Sequence, residues 1–138
     1  MRDWAKSFKS YTGSGVYSIK RSDDLAEIEQ KAVAQGLAFF KVDLSNVATK
    51  EGFLHTMAAA LKFPSYFGMN WDAFEESIND LEWCPARGYL IILSSVEAFS
   101  QKSPDDFKTA DNIFKSASKN WKARKKPFYV ILANRYKT

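Results

Sequence analysis

Three short apolar runs constrain this chain more than any other feature. They are LAFFKVDL (37–44), YLIILSS (89–95) and FYVILAN (128–134). Each is short and apolar and reads as a strand: LAFFKVDL as a buried one, YLIILSS as the clearest in the chain and FYVILAN as the last, after Pro127. Between them lie stretches with helical periodicity. Thr49 to Lys62 places Phe53, Leu54, Met57, Ala58 and Leu61 on one stripe, and a second helix runs from an Asn70 cap to about Asp80. Ser103-Pro104-Asp105-Asp106 opens a third, with proline at the first helical position and acids in the first turn. Phe107, Ala110, Ile113, Phe114, Ala117 and Trp121 continue it.

Upstream, GVYSIK (15–20) alternates as a strand does, and Ser22 with Asp23 and Asp24 reads as the start of a helix that Gly36 stops. The expected order is therefore β-α-β-α-α-β-α-β. It predicts an α/β fold in two or three layers, with a mostly parallel sheet of three or four strands joined by helical crossovers. A length of 138 residues suits a single domain, 1–138. Its core would be 37–134, with 1–36 as an extension whose βα unit (roughly 14–36) adds to a sheet edge.

Much chemistry is excluded. The sequence holds no CxxC, HExxH, GxGxxG or Walker loop. No apolar run approaches the roughly 18–20 residues that span a bilayer, and MRDWAKSFKSYTGSG lacks the apolar segment of a secretion signal. The lone cysteine, Cys84, fits a reducing compartment, and the expected location is the cytoplasm. The single histidine, His55, is expected as a partly buried helix residue rather than a catalyst. No metal, cofactor or catalytic residue is expected.

Charge is unevenly spread. Residues 115–138 hold eight basic residues and no acid, which leaves the first 114 residues with twelve basic and sixteen acidic ones. In FPSYFGMNWDAFEESINDLE (63–82) five acids stand with no Lys or Arg. From the Asn70 cap, Trp71, Phe74, Ile78 and Leu81 form an apolar stripe, while Asp72, Glu75, Glu76 and Asn79 lie on the other side. Asp72 and Glu76 are like charges four apart, which costs a few tenths of a kcal/mol, so helix stability alone does not account for the pattern. Tyr66, just before the helix, adds an aromatic beside the acids, a combination suited to recognition. A purely solvated acidic face is the competing account. The basic segment has a parallel pair of readings: a nucleic-acid patch, or a solvated helix face favoured by the helix dipole.

The stretch FPSYFGMNWDAFEESI resembles the motif of the barstar family of ribonuclease inhibitors. Pro64, Tyr66, Phe67, Gly68, Asn70, Trp71, Asp72, Ala73, Phe74 and Glu76 match it without a gap, and the predicted elements of residues 37–134 follow the family's order. The resemblance implies a small α/β sandwich around a parallel sheet. It also implies a cytoplasmic immunity protein, monomeric when free, that plugs the active site of a toxic ribonuclease one to one, with neither membrane nor nucleic acid as partner. By position it implies that Tyr66 packs on a catalytic histidine and that Asp72 and Glu76 pair with cationic groups. Asn70, Glu75 and Asn79 would make neighbouring contacts. Three departures stand out: Glu76 replaces an aspartate, Ser116 takes the place of an acid from the later helix, and the C-terminal end is basic. They leave room for the same face to neutralise a non-ribonuclease toxin. The rival from another class is an RNA-binding module using Lys119, Lys122, Arg124, Lys125 and Lys126.

Overall fold

The structure, a computed structural model, describes residues 8, 10–19, 25–64 and 68–133. Four strands form one sheet: β1 (Gly15–Ile19), β2 (Ala38–Asp43), β3 (Tyr89–Ser94) and β4 (Phe128–Ala133). Five helices connect them: α1 (Leu25–Ala34), α2 (Lys50–Leu61), α3 (Trp71–Asp80), α4 (Glu97–Lys102) and α5 (Pro104–Ala123). The sheet order is β1-β4-β3-β2, and every pairing is parallel.

Residues 37–133 build the sheet stepwise from β2 through β3 to β4, and β1 adds the fourth strand at the β4 edge. The expected edge addition is thus present. The expected cap at Ser22 lies outside the described residues.

The period of two along each strand sorts the side chains into two cores. Tyr89, Ile91, Leu93, Phe128, Val130 and Val42 face α2, α3 and α5. Leu90, Ile92, Tyr129 and Ile131 face α1, through Leu25, Ile28 and Ala32, and meet Phe8. The arrangement is therefore three-layered, with the sheet between α1 and the other helices. β3 is buried on both faces from Tyr89 to Leu93, which is why its sequence is an unbroken apolar run. Tyr129 is also fully buried. It donates to the Ser10 carbonyl at 3.0 Å, and burial, with a smaller push from Tyr17, drives its hydroxyl up to about 12. Gly88 marks the tightest approach. A Cβ there would sit 2.7 Å from the Pro127 carbonyl and 2.8 Å from Leu37, so the entry to β3 has no room for a side chain.

Three expectations are corrected. LAFFKVDL, expected as a buried strand, forms the edge strand β2, half-buried from Ala38 to Phe40 and exposed at Lys41 and Asp43, because it pairs on one side only, with β3. α4 was not foreseen, because its single fully buried apolar residue, Phe99, stacks on Phe53 at 5.0 Å and one contact gives no periodicity. His55 is exposed rather than partly buried. At 100° per residue it points away from the stripe formed by Phe53, Leu54, Met57 and Leu61.

Candidate functional site: the acidic helix α3

Local chemistry starts α3 where the sequence says it should. Asn70 is extended (φ −141°, ψ 170°), and its side-chain oxygen accepts from the Ala73 N–H at 2.7 Å. Its amide nitrogen donates to the Gly68 carbonyl at 3.3 Å, so the cap also folds the preceding turn. The helix ends at Leu81, left-handed at φ 49°, whose N–H bonds the Ser77 carbonyl at 3.1 Å.

The apolar stripe seats the helix. Phe74, Ile78 and Leu81 are fully buried. Phe74 sits among Phe53, Phe63, Trp71 and Phe114 at ring-centroid distances of 5.4–6.1 Å. Each such side chain contributes about 1.5–3 kcal/mol by leaving water. That outweighs the few tenths of a kcal/mol lost to each like-charge pair on the outer side. The core thus stabilises a helix whose outer face is electrostatically unfavourable.

On that outer face Asp72, Glu75, Glu76 and Asp80 are all exposed. Among the described residues none of them takes part in an ion pair; the pair present there is Lys115–Asp111, at 2.8 Å along α5. Asp72, Glu76 and Asp80 succeed one another at four-residue spacing, a row of anions along the helix. Glu76 and Asp80 border an open groove of about 330 Å³ walled also by Pro64, Ala73 and Trp83. Such a surface suits a cationic partner and lacks the enclosed, unlike carboxylate environments of general acid–base chemistry.

The other sequence-derived residues divide. Asn70 is occupied as the cap. Asn79, half-buried, is engaged by its neighbours: its amide nitrogen donates to the Glu75 carbonyl at 2.8 Å, and its oxygen accepts from Asn120 of α5 at 2.9 Å. Tyr66 lies outside the described residues. Ser116 is exposed on α5. Cys84 is a half-buried free thiol, and among the described residues no group of three or more His, Cys, Asp and Glu side chains is disposed to hold a metal ion. No described helix is long and apolar enough to cross a membrane.

Sequence reasoning missed the residues that hold the far end of α3. Trp121 donates through its indole N–H to the Ile78 carbonyl at 2.9 Å, and the Arg124 guanidinium donates to the Asn79 carbonyl at 2.6 Å. Lys126 donates to the Ala86 carbonyl at 3.0 Å. Arg124 and Lys126 thus spend part of the basic segment on internal bonds. Nothing in their spacing announces this, since the carbonyls they reach lie 45 and 40 residues away. Beneath Trp121, 5.1 Å between ring centroids, Tyr89 donates to the Cys84 carbonyl, and burial raises its hydroxyl above the ordinary value.

Comparison with solved structures finds the same kind of fold in the ORC2 protein of Aeropyrum pernix, solved as ADPNP–ADP complexes. The TM-score is 0.59 at 13% identity, over 88% of this chain and 35% of that one. At that identity the likeness is one of fold alone, and this chain spans about a third of that protein's length. No curated protein matches the chain. The model of the family described as barstar, the barnase inhibitor, matches residues 37–133, which include all of α3 and the turn before it. The chain therefore belongs to the barstar family.

Proposed function

We propose that this protein is an inhibitor that binds one toxic ribonuclease and blocks its active site with the acidic face of α3, protecting a bacterial cytoplasm as an immunity protein. One observation carries the reading. Asp72, Glu75, Glu76 and Asp80 are exposed on a helix anchored by its apolar side, with no cation paired to them among the described residues. A fixed row of anions matches a site built to hold RNA phosphates, and the helix presents it without needing to order first. Opposite charge also speeds encounter, an effect for which the founding inhibitor–ribonuclease pair of this family is itself the standard case. Asp72 and Glu76 carry the charge pairing and Glu75 flanks them. Asn70 and Asn79 support the helix from its two ends, and Tyr66, which precedes the helix in sequence, supplies an aromatic contact. The protein acts by occupancy, without catalysis, cofactor or metal.

A second reading keeps the surface and changes the partner to a cationic toxin that is not a ribonuclease. Glu76, one methylene longer than the family's aspartate, and Ser116, which lacks an acid's charge, support it. The RNA-binding reading is weakened because Arg124 and Lys126 are bonded within the fold.

The test is to titrate the protein and its Asp72→Ala variant into a barnase-like ribonuclease while following RNA cleavage. Stoichiometric inhibition by the wild type, weakened in the variant, is expected. Equal inhibition by both would remove α3 from the interface. No inhibition by the wild type would transfer the face to a different toxin.

A further inference from the structure

We propose that Asn120, Trp121 and Arg124 form a clasp that fixes the acidic helix for its partner, which makes Arg124 a positioning residue of the interface rather than a nucleic-acid contact. The binding half of this proposal rests on the inhibitor reading above.

Asn120 and Trp121 lie in the last turn of α5 and Arg124 is the residue that caps it, and all three meet the last turn of α3. Asn120 reaches the Asn79 side chain, Trp121 the Ile78 carbonyl and Arg124 the Asn79 carbonyl, at 2.9, 2.9 and 2.6 Å. The final carbonyls of a helix have no donors of their own, and here two of them are satisfied from outside. The guanidinium also places positive charge at the negative end of the helix dipole. The clasp is rooted in the core. The Arg124 guanidinium lies 3.9 Å from the centre of the Trp121 ring. Trp121 is 3% exposed and stacks on Phe128 of β4 with planes 5° apart. Movement of the end of α3 is thus opposed by β4 through Trp121 and Arg124.

This matters for binding because Glu76 and Asp80 lie within the last five residues of α3. If that turn frays or tilts, the far end of the anionic row loses its geometry, and a partner must then order it at the cost of affinity. Arg124 also has an opposing effect as a charge: a cation beside the acidic row repels a cationic partner. Positioning and repulsion therefore predict changes of opposite sign when the guanidinium is removed.

The experiment uses the full chain with Arg124→Met, which keeps a long unbranched side chain but removes charge and donors, Arg124→Lys, and Asn120→Ala as an independent break of the same clasp. In the free protein, amide hydrogen exchange at Asp80 and Leu81 is expected to rise about ten-fold in Arg124→Met and Asn120→Ala, with exchange in β3 unchanged and partial recovery in Arg124→Lys. With a barnase-like ribonuclease in stopped flow, Arg124→Met is expected to dissociate about ten-fold faster, while association at low salt is unchanged or slightly faster. Unchanged exchange at the end of α3 overturns the clasp. So does slower dissociation of Arg124→Met, which would leave only charge repulsion, or a lowered melting temperature with dissociation unchanged, which would leave only a stability role. If the wild type does not bind the ribonuclease, the inhibitor reading fails for that enzyme, and the exchange data alone decide whether the clasp exists.

Discussion

The acidic helix α3 and the basic end of α5 look like mirror images in sequence, each a cluster of one sign, yet the structure uses them in opposite ways. On α3 the acids point outward and none is paired among the described residues. Within α5 Lys115 is paired with Asp111, and past its end Arg124 and Lys126 donate to the Asn79 and Ala86 carbonyls. The side chains of Lys119, Lys122 and Lys125 are exposed. Cations are favoured at the carboxyl end of a helix, where carbonyls lack donors, and anions at its start, so long, hydrogen-bond-donating Arg and Lys side chains serve those carbonyls. Carboxylates cannot serve that role. A charge cluster therefore implies a partner only after its internal uses are subtracted. That subtraction leaves the row on α3 intact and thins the one on α5.

The largest effect should come from breaking the support of α3 rather than its charge. Phe74→Ala removes a fully buried ring at the centre of four aromatics and is expected to cost about 3–5 kcal/mol of stability, measured by urea unfolding. Binding would then be lost together with the fold. Glu76→Lys should separate the two. Its side chain is exposed, so stability should change by no more than about 0.5 kcal/mol, while affinity for a cationic ribonuclease falls by about 3–5 kcal/mol where the pair is buried in the complex. Calorimetric titration beside a thermal melt checks both, and normal binding would mean that the acidic row is merely solvated. Next in size is Asn70→Ala. Loss of the 2.7 Å cap bond should lower the unfolding free energy by about 1 kcal/mol and raise amide exchange at Ala73. The smallest effect is expected on the basic side. Lys119→Gln, Lys122→Gln and Lys125→Gln together reduce the formal net charge from +4 to +1. They should leave stability within about 0.5 kcal/mol and slightly quicken association with a cationic ribonuclease at low salt. Loss of salt-sensitive RNA binding in that variant would instead favour the nucleic-acid reading.

What could be read beforehand follows from how local each signal is. β3 and β4 were legible because burial on both faces writes an apolar run, whereas β2, at the sheet edge, keeps only Val42 fully buried. The span of α3 was legible because a cap residue and a 3.6-residue stripe are encoded within a dozen positions. α4 was not, since Phe99 alone carries its packing. The exposure of His55 followed from its angle on the helix, but the neighbouring apolar residues obscured it. Ser103 shows a subtler limit. It does precede α5, but its hydroxyl donates to the Ala48 carbonyl at 2.7 Å and makes no cap. A serine offers the same hydroxyl to either use, and only the fold brings Ala48 within reach.

The sequence by itself determined the alternation of strands and helices, the two sides of α3 and the motif that carries the family resemblance, because each depends on residues near one another along the chain. Only the tertiary structure decided the sheet order, the place of β1 beside β4, the bond of Asn79 to α5 and the task of Arg124. These depend on which carbonyl, ring or strand edge lies nearby in space. For Asn120 and Arg124 those neighbours are 41 and 45 residues away, a distance over which spacing and periodicity carry no information.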